Sequence, residues 1–355
     1  MQTCCVINSD DSLFTSQVHC WDYRRYVVAK AKVPAELEFE LCEEKIQKNF
    51  SNYSSWHYRS QLLPILHPHD SDTSRPISEA KLKEELELVI TAAFTDPNDS
   101  SAWFYQRWLL GYSDPKLDLA AVKISKNLAI LSFAKPVDVV RDCIEITINN
   151  VPMKRTWCSV TGEKNDATWF QSGDFNATDE VKVKVKFGEK VFEILTEKVG
   201  DAYIGIKCPT FGYEFGAAVR DELKSQLDSC NQLLEFEPDS KWTLLTASLL
   251  MRSIDRFHYH AQTLDFLKKL QKVDSLRAGY YKDLASKWTV EVKLKNWIEK
   301  KEFHRGKVDL TNLELTTLYY QQYFAIATEV NLEGNPKFNK KSCKFSSIKG
   351  CEVKF

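Results

Sequence analysis

His19-Cys20-Trp21-Asp22-Tyr23-Arg24-Arg25, Ser55-Trp56-His57-Tyr58-Arg59 and Ala102-Trp103-Phe104-Tyr105-Gln106-Arg107-Trp108 carry one motif, Trp-x-Tyr-Arg or Trp-x-Tyr-x-Arg, each followed by an apolar stretch. The tryptophans stand 35 and then 47 residues apart, with the polar stretch from His67 to Ser78 supplying the longer interval. Recurrence on this scale is the mark of a repeat architecture. Between the motifs, Ala35 to Ile46 and Leu82 to Ile90 place apolar residues at roughly i, i+4, i+7, the face of a packed helix. Asp96-Pro97-Asn98-Asp99-Ser100 has turn and N-cap chemistry just before Trp103. The first 112 residues therefore read as stacked helix pairs, one pair per repeat. The pattern resumes near Ala217, and Lys241 to Arg252 is a further tryptophan helix behind the turn Glu237-Pro238-Asp239-Ser240. That turn echoes the one at Asp96, which argues for one interrupted array.

The interruption changes period. Ile144-Glu145-Ile146-Thr147-Ile148 and Val181 to Phe187 alternate apolar and polar residues, as half-buried antiparallel strands do. Short strands from Leu119 to about Cys208, with Trp157 and Trp169 to fill a core, predict an immunoglobulin-like β-sandwich inserted in a helical loop. Lys182, Lys184 and Lys186 form its solvated face. In the tail, Val308, Val330 and Val353 recur at intervals of 22 and 23, and Leu332-x-x-Asn335 fits the turn of a leucine-rich repeat. The expected fold is mainly α, an α-α superhelical array with a sandwich insert and a short leucine-rich segment. Its expected parts are an atypical segment at 1–17, helical repeats at 18–116, the insert at 117–212, helical repeats at 213–304 and leucine-rich repeats at 305–355.

Composition excludes several classes. Hydrophobic residues at 43% can fill cores, which argues against disorder. Lys+Arg 48 against Asp+Glu 49 gives no global pull toward nucleic acid or an anionic membrane. No apolar run approaches the roughly 20 residues of a bilayer span. Ten scattered cysteines with no C-x-x-C pair and no visible export signal predict a cytoplasmic location and no metal site.

The tandem tryptophan–arginine helix pairs resemble the α-subunits of protein prenyltransferases. The sandwich insert and leucine-rich tail narrow the resemblance to the α-subunit of Rab geranylgeranyltransferase. Three stretches carry it: His19 to Arg25, Asn49 to Ser60, and Phe94 through Gly111. The resemblance implies transfer of a C20 geranylgeranyl group from its diphosphate to C-terminal cysteines of Rab GTPases. It implies an obligate heterodimer with a β-subunit that holds the zinc, docking of the Rab escort protein, no cofactor on this chain and no activity of this chain alone. It further implies about two more helical repeats before Trp21 and more leucine-rich repeats after Phe355, so truncation at both ends is expected.

His19 is the residue the resemblance places on the diphosphate side, as a hydrogen-bond donor to the leaving group; the motif alone equally describes an ordinary residue at a helix start. Trp21, Trp56 and Trp103 read as repeat core, together with Tyr58 and Tyr105. Arg24, Arg25, Arg59 and Arg107 have two readings, contact with the β-subunit or pairing with a carboxylate of the adjacent repeat. His57, His67 and His69 lack a fourth ligand for zinc. The alternative function is a non-catalytic helical-repeat scaffold that binds peptide motifs.

Overall fold

A computed structural model of the chain describes residues 18–69, 75–111, 117–140, 144–153, 156–175, 181–209, 211, 214–302, 307–316, 319–327, 329–334 and 352–354. The expected segment 1–17 and Asn335 lie outside the described residues. The chain divides into two units, residues 1–113 with 212–278, and residues 114–211 with 279–355.

The first unit is helical. Its helices are α1 (Val18–Ala31), α2 (Ala35–Lys48), α3 (Tyr53–Leu66), α4 (Glu79–Thr95), α5 (Ser101–Leu109), α6 (Ala217–Phe236), α7 (Lys241–Asp255) and α8 (His260–Val273). Neighbours pair as the sequence predicts: α2 with α3, α4 with α5, α6 with α7. In these three pairs the tryptophan lies on the second helix. Polar caps start these helices: Asn52 accepts from Ser55 N at 3.2 Å, and Ser78 accepts from Lys81 N at 3.4 Å. The two proline turns match atom for atom, with Asp99 N donating to Asp96 O and Ser240 N donating to Glu237 O. Before α5 the cap is supplied by Asp99, whose Oδ1 accepts from Ser101 N at 2.8 Å.

In the second unit, β1 (Leu119–Ser125), β2 (Leu128–Val137), β5 (Cys158–Ser159), β6 (Asp166–Ser172), β9 (Glu197–Val199) and β10 (Ala202–Ile206) form a six-stranded antiparallel sheet, in the order β5-β6-β2-β1-β10-β9. A four-stranded antiparallel sheet has the order β4-β3-β7-β8, from β3 (Glu145–Ile148), β4 (Val151–Pro152), β7 (Lys182–Phe187) and β8 (Lys190–Leu195). The two sheets share a core: Val122, Ile124, Leu131, Phe133 and Trp169 from one, Ile146, Val183, Val185 and Ile194 from the other, together with Trp157. Lys182 and Lys184 share Glu193 at 2.6 and 3.3 Å, and Lys186 meets Glu145 at 3.3 Å, so two carboxylates offset much of the charge of the three lysines.

The six-stranded sheet is buried on both faces. Ala120, Ala121, Ile130 and Ile204 pack on Val290 and Leu294 of α9 (Ala278–Glu299) and on Val308, Leu310, Phe324 and Val330 of the tail. This changes the expected division at 213–304. From Gly279 onward the helical segment falls in the second unit, because α9 covers a sheet face. Burial on both sides also explains β1, where Leu119 to Ile124 form an unbroken buried run with no alternation to read.

The tail strands β11 (Lys307–Asp309), β12 (Glu329–Asn331) and β13 (Glu352–Lys354) form a parallel ladder. Val308 pairs with Val330 and Val330 with Val353, the register that the 22- and 23-residue spacing gives. The turns repeat as well. Asp309 Oδ1 accepts from Thr311 N, and Asn331 Oδ1 accepts from Glu333 N, both at 3.0 Å. Asn312 and Gly334, again 22 apart, both take positive φ, 58° and 77°; a Cβ at Gly334 would collide with the Asn312 side chain.

Close packing within this unit gives a direct test. A Cβ on Gly205 of β10 would fall inside contact distance of Ile194 Cγ2 and 2.8 Å from the Leu195 carbonyl oxygen. Gly205→Ala is therefore expected to destabilise by about 1–3 kcal/mol through overpacking. An unchanged thermal midpoint would contradict that packing.

Candidate functional site

The motif helices α1, α3 and α5 build one structure out of repeated parts. Trp56 Nε1 donates to Phe50 O at 2.8 Å and Trp103 Nε1 to Pro97 O at 3.1 Å, each reaching the carbonyl six residues upstream. Trp21 and Trp56 pack on the tyrosine of the next repeat, whereas Trp103 meets Phe94. Trp21 meets Tyr58 edge-on at 6.0 Å between centroids, and Trp56 meets Tyr105 at 4.7 Å.

Behind the rings run buried ion pairs. Arg24 grips Glu38 of α2 with two parallel bonds, Nε to Oε2 at 2.7 Å and Nη2 to Oε1 at 2.6 Å. Arg59 grips Glu85 of α4 in the same way, at 2.8 and 2.7 Å. In both cases the arginine comes from one repeat and the carboxylate from the first helix of the next. That carboxylate also receives the tyrosine twenty residues later, Tyr105 OH donating to Glu85 Oε2 at 2.7 Å and Tyr58 OH to Glu38. Arg59 also lies 4.0 Å over the Phe39 ring.

Electrostatics follow from this burial. Burial opposes the Glu85 charge, but the hydrogen bonds and charge of Arg59, with Tyr105 and Lys81, hold the carboxyl below its ordinary value. Burial likewise opposes the Arg59 charge, and Glu85 outweighs it, holding the guanidinium above its ordinary value. Burial and then the Glu85 charge keep the Tyr105 phenol well above its usual range. Beside the Arg24 pair, burial pushes the Cys42 thiol up to about 12, which makes it an inert packing group.

The third seam departs from the pattern. Three residues after the tryptophan, where the first two motifs have Arg24 and Arg59, the third has Gln106, whose Nε2 donates to Gln226 Oε1 of α6 at 2.7 Å. Gln226 Nε2 in turn donates to Leu86 O at 2.9 Å. Arg107 is one position later and lines an open surface groove of about 450 Å³ with Tyr53, Phe104 and Trp108. Arg25 pairs with Asp22 and lies over the Tyr58 ring. An exposed aromatic row runs along α3 and α5, where Tyr53 stacks on His57 and Phe104 meets Tyr53 edge-on, and the buried Trp242 of α7 packs against Phe104. Burial and the Arg25 charge lower the His57 pKa.

Of the residues singled out in the sequence, Trp21, Trp56, Trp103, Tyr58, Tyr105, Arg24 and Arg59 thus meet in the seams, whereas Arg25 and Arg107 do not share the buried pairing. His19 falls in the first turn of α1, and its side chain lies outside the described residues. Glu38, Glu85, Gln106 and Gln226 were missed by the sequence reading. The signal was present in the constant twenty-residue step from Glu38 to Tyr58 and from Glu85 to Tyr105. Among the described residues no group of three or more His, Cys, Asp or Glu could hold a metal ion, and no helix is long and apolar enough to cross a membrane.

Two of these helix pairs, residues 35–66 and 82–113, match the family described as protein prenyltransferase alpha subunit repeat. The chain is 37% identical over 339 residues to the geranylgeranyl transferase type-2 subunit alpha of Bos taurus, and 36% identical over 339 residues to that of Homo sapiens. It is a relative of the geranylgeranyl transferase type-2 α-subunits. The similarity takes in 89% of this chain and 58% of either mammalian protein. The Schizosaccharomyces pombe subunit of the same name is 32% identical over 150 residues, 39% of this chain and 42% of that protein. The chain thus spans somewhat more than half the length of its mammalian relatives, and the two repeat matches coincide with α2–α3 and α4–α5.

Proposed function

We propose that the chain is the α-subunit of a heterodimeric protein prenyltransferase. It pairs with a β-subunit and supports transfer of geranylgeranyl from its diphosphate to C-terminal cysteines of Rab GTPases presented by the Rab escort protein in the cytoplasm. The observation that carries this reading is the similarity to type-2 α-subunits across 89% of the chain, centred on the tryptophan helix pairs. In this reading the two antiparallel sheets are an immunoglobulin-like sandwich, and the parallel ladder with its recurrent Asx turns is a leucine-rich segment.

The chemistry divides between the subunits. The acceptor must be a thiolate, and a zinc ion on the β-subunit would lower the thiol pKa. The described residues of this chain contain no site that fits such an ion. Its own groups position. The buried Arg–Glu–Tyr seams fix the motif helices, and the aromatic row with Arg107 presents the surface on which a partner rests. His19, at the start of α1, donates to the departing diphosphate.

Labelled geranylgeranyl diphosphate, a Rab substrate and escort protein test this directly. Incorporation is expected only with both subunits present and none with the chain alone. Transfer by the β-subunit that is unchanged by omitting this chain would overturn the proposal.

A further inference from the structure

The array resumes after the inserted sheets on α6, and this helix starts without a cap of its own. Its N-cap position is Gly216, which has no side chain to offer, whereas α3 and α4 start on Asn52 and Ser78. The missing acceptor comes from the preceding repeat. Glu79, in the first turn of α4, accepts from Gly216 N at 3.0 Å through Oε1. Arg75 Nη1 donates to the same oxygen. The Arg75 bond and then the Gly216 bond hold the Glu79 carboxyl below its ordinary value. A carboxylate is also the charge that the positive end of a 20-residue helix favours.

The fit is tight. A Cβ on Gly216 would fall inside contact distance of Glu79 Oε2. The backbone at Gly216, with φ −63° and ψ 167°, is open to any residue, so it is Glu79 that calls for glycine here. Farther along the same two helices, Gln226 Nε2 donates to Leu86 O at 2.9 Å. Glu79 precedes Leu86 on α4 as Gly216 precedes Gln226 on α6, so two ties set the register of helices that run in one direction. The chain leaves and re-enters the helical unit at this same place. Trp108 and Leu109, at the end of α5, line one small hollow with Phe215, Ile77, Arg75 and Glu79.

We propose that Glu79 is a clasp that caps α6 from the neighbouring repeat and fixes the register in which the helical array resumes after the insert. Opening the clasp frees the start of α6 and loosens the Gln226 tie, while the Arg24 and Arg59 seams stay closed. The inference stands whether or not the chain supports prenyl transfer.

Hydrogen exchange of the full chain, followed by mass spectrometry over residues 216–226, tests it on Glu79→Ala, Gly216→Ala and the double variant. The alanine at 216 displaces the Glu79 side chain, which can swing away only by giving up its bond to Gly216 N. Each single variant is expected to exchange about fivefold faster there, the effect of losing one helix cap. The double variant should exchange no faster than either single, because both substitutions open the same contact. Exchange in α2 and α3 should stay at the parent rate. Singles that match the parent, or a double variant about 25-fold faster as independent effects would give, would overturn the clasp. Equal acceleration in α2 and α3 would also contradict it, since that is a general loosening of the unit.

Discussion

Glu85→Ala is expected to destabilise the helical unit by about 3–5 kcal/mol, because removing one partner of a buried pair strands the other. Arg59 would keep its charge at 3% exposure with both of its gripping bonds gone, and Tyr105 OH would lose its acceptor. At about 2–4 °C per kcal/mol for a unit of this size, the unfolding midpoint should fall by roughly 6–20 °C. The double variant Arg59→Met/Glu85→Leu should recover most of that loss, since an apolar pair of similar volume avoids the uncompensated charge. A single variant within 1 °C of the parent would show that the pair is not formed. Acid acts through the same group. The Glu85 pKa is held below its ordinary value of 4.5, so its contribution is fully present above that pH. The contribution is lost as pH falls through the depressed folded value. The acid-unfolding midpoint of Glu85→Gln should accordingly be less steep in pH than that of the parent.

Trp56→Ala carries the second large effect. The ring is 1% exposed, donates to Phe50 O and packs on Tyr105 of the next repeat. Its removal combines lost burial with a cavity at a seam, worth about 3–5 kcal/mol. Trp56→Phe keeps most of the packing and gives up the indole bond, a loss of about 1 kcal/mol. Differential scanning fluorimetry of the two variants separates the terms. Equal losses would assign the whole effect to the hydrogen bond, contrary to the packing seen between the repeats.

Much of this fold is written in local pattern. The Trp-x-Tyr-Arg recurrence marks the second helix of each pair, and the Asp96 and Glu237 turns mark the joins. Val308, Val330 and Val353 give the tail register because a parallel ladder preserves spacing along the chain. What the pattern conceals is long-range. Leu119 to Ile124 shows no alternation since both faces are covered. The Tyr280 to Trp288 stretch reads as one more array helix because periodicity reports an apolar face and not what covers it, which for α9 is a sheet. Arg107 took the motif position by likeness of type, whereas backbone phase gives it to Gln106. The carboxylates Glu38 and Glu85 looked like ordinary helix-surface acids until their arginines were seen to come from the preceding repeat.

The central claim is partnership, and co-expression with a Rab geranylgeranyltransferase β-subunit followed by size-exclusion chromatography tests it most directly. A stoichiometric 1:1 peak is predicted, weakened by Phe104→Ala/Arg107→Glu in the exposed groove. A chain that elutes as a monodisperse monomer beside an excess of free β-subunit would contradict the account.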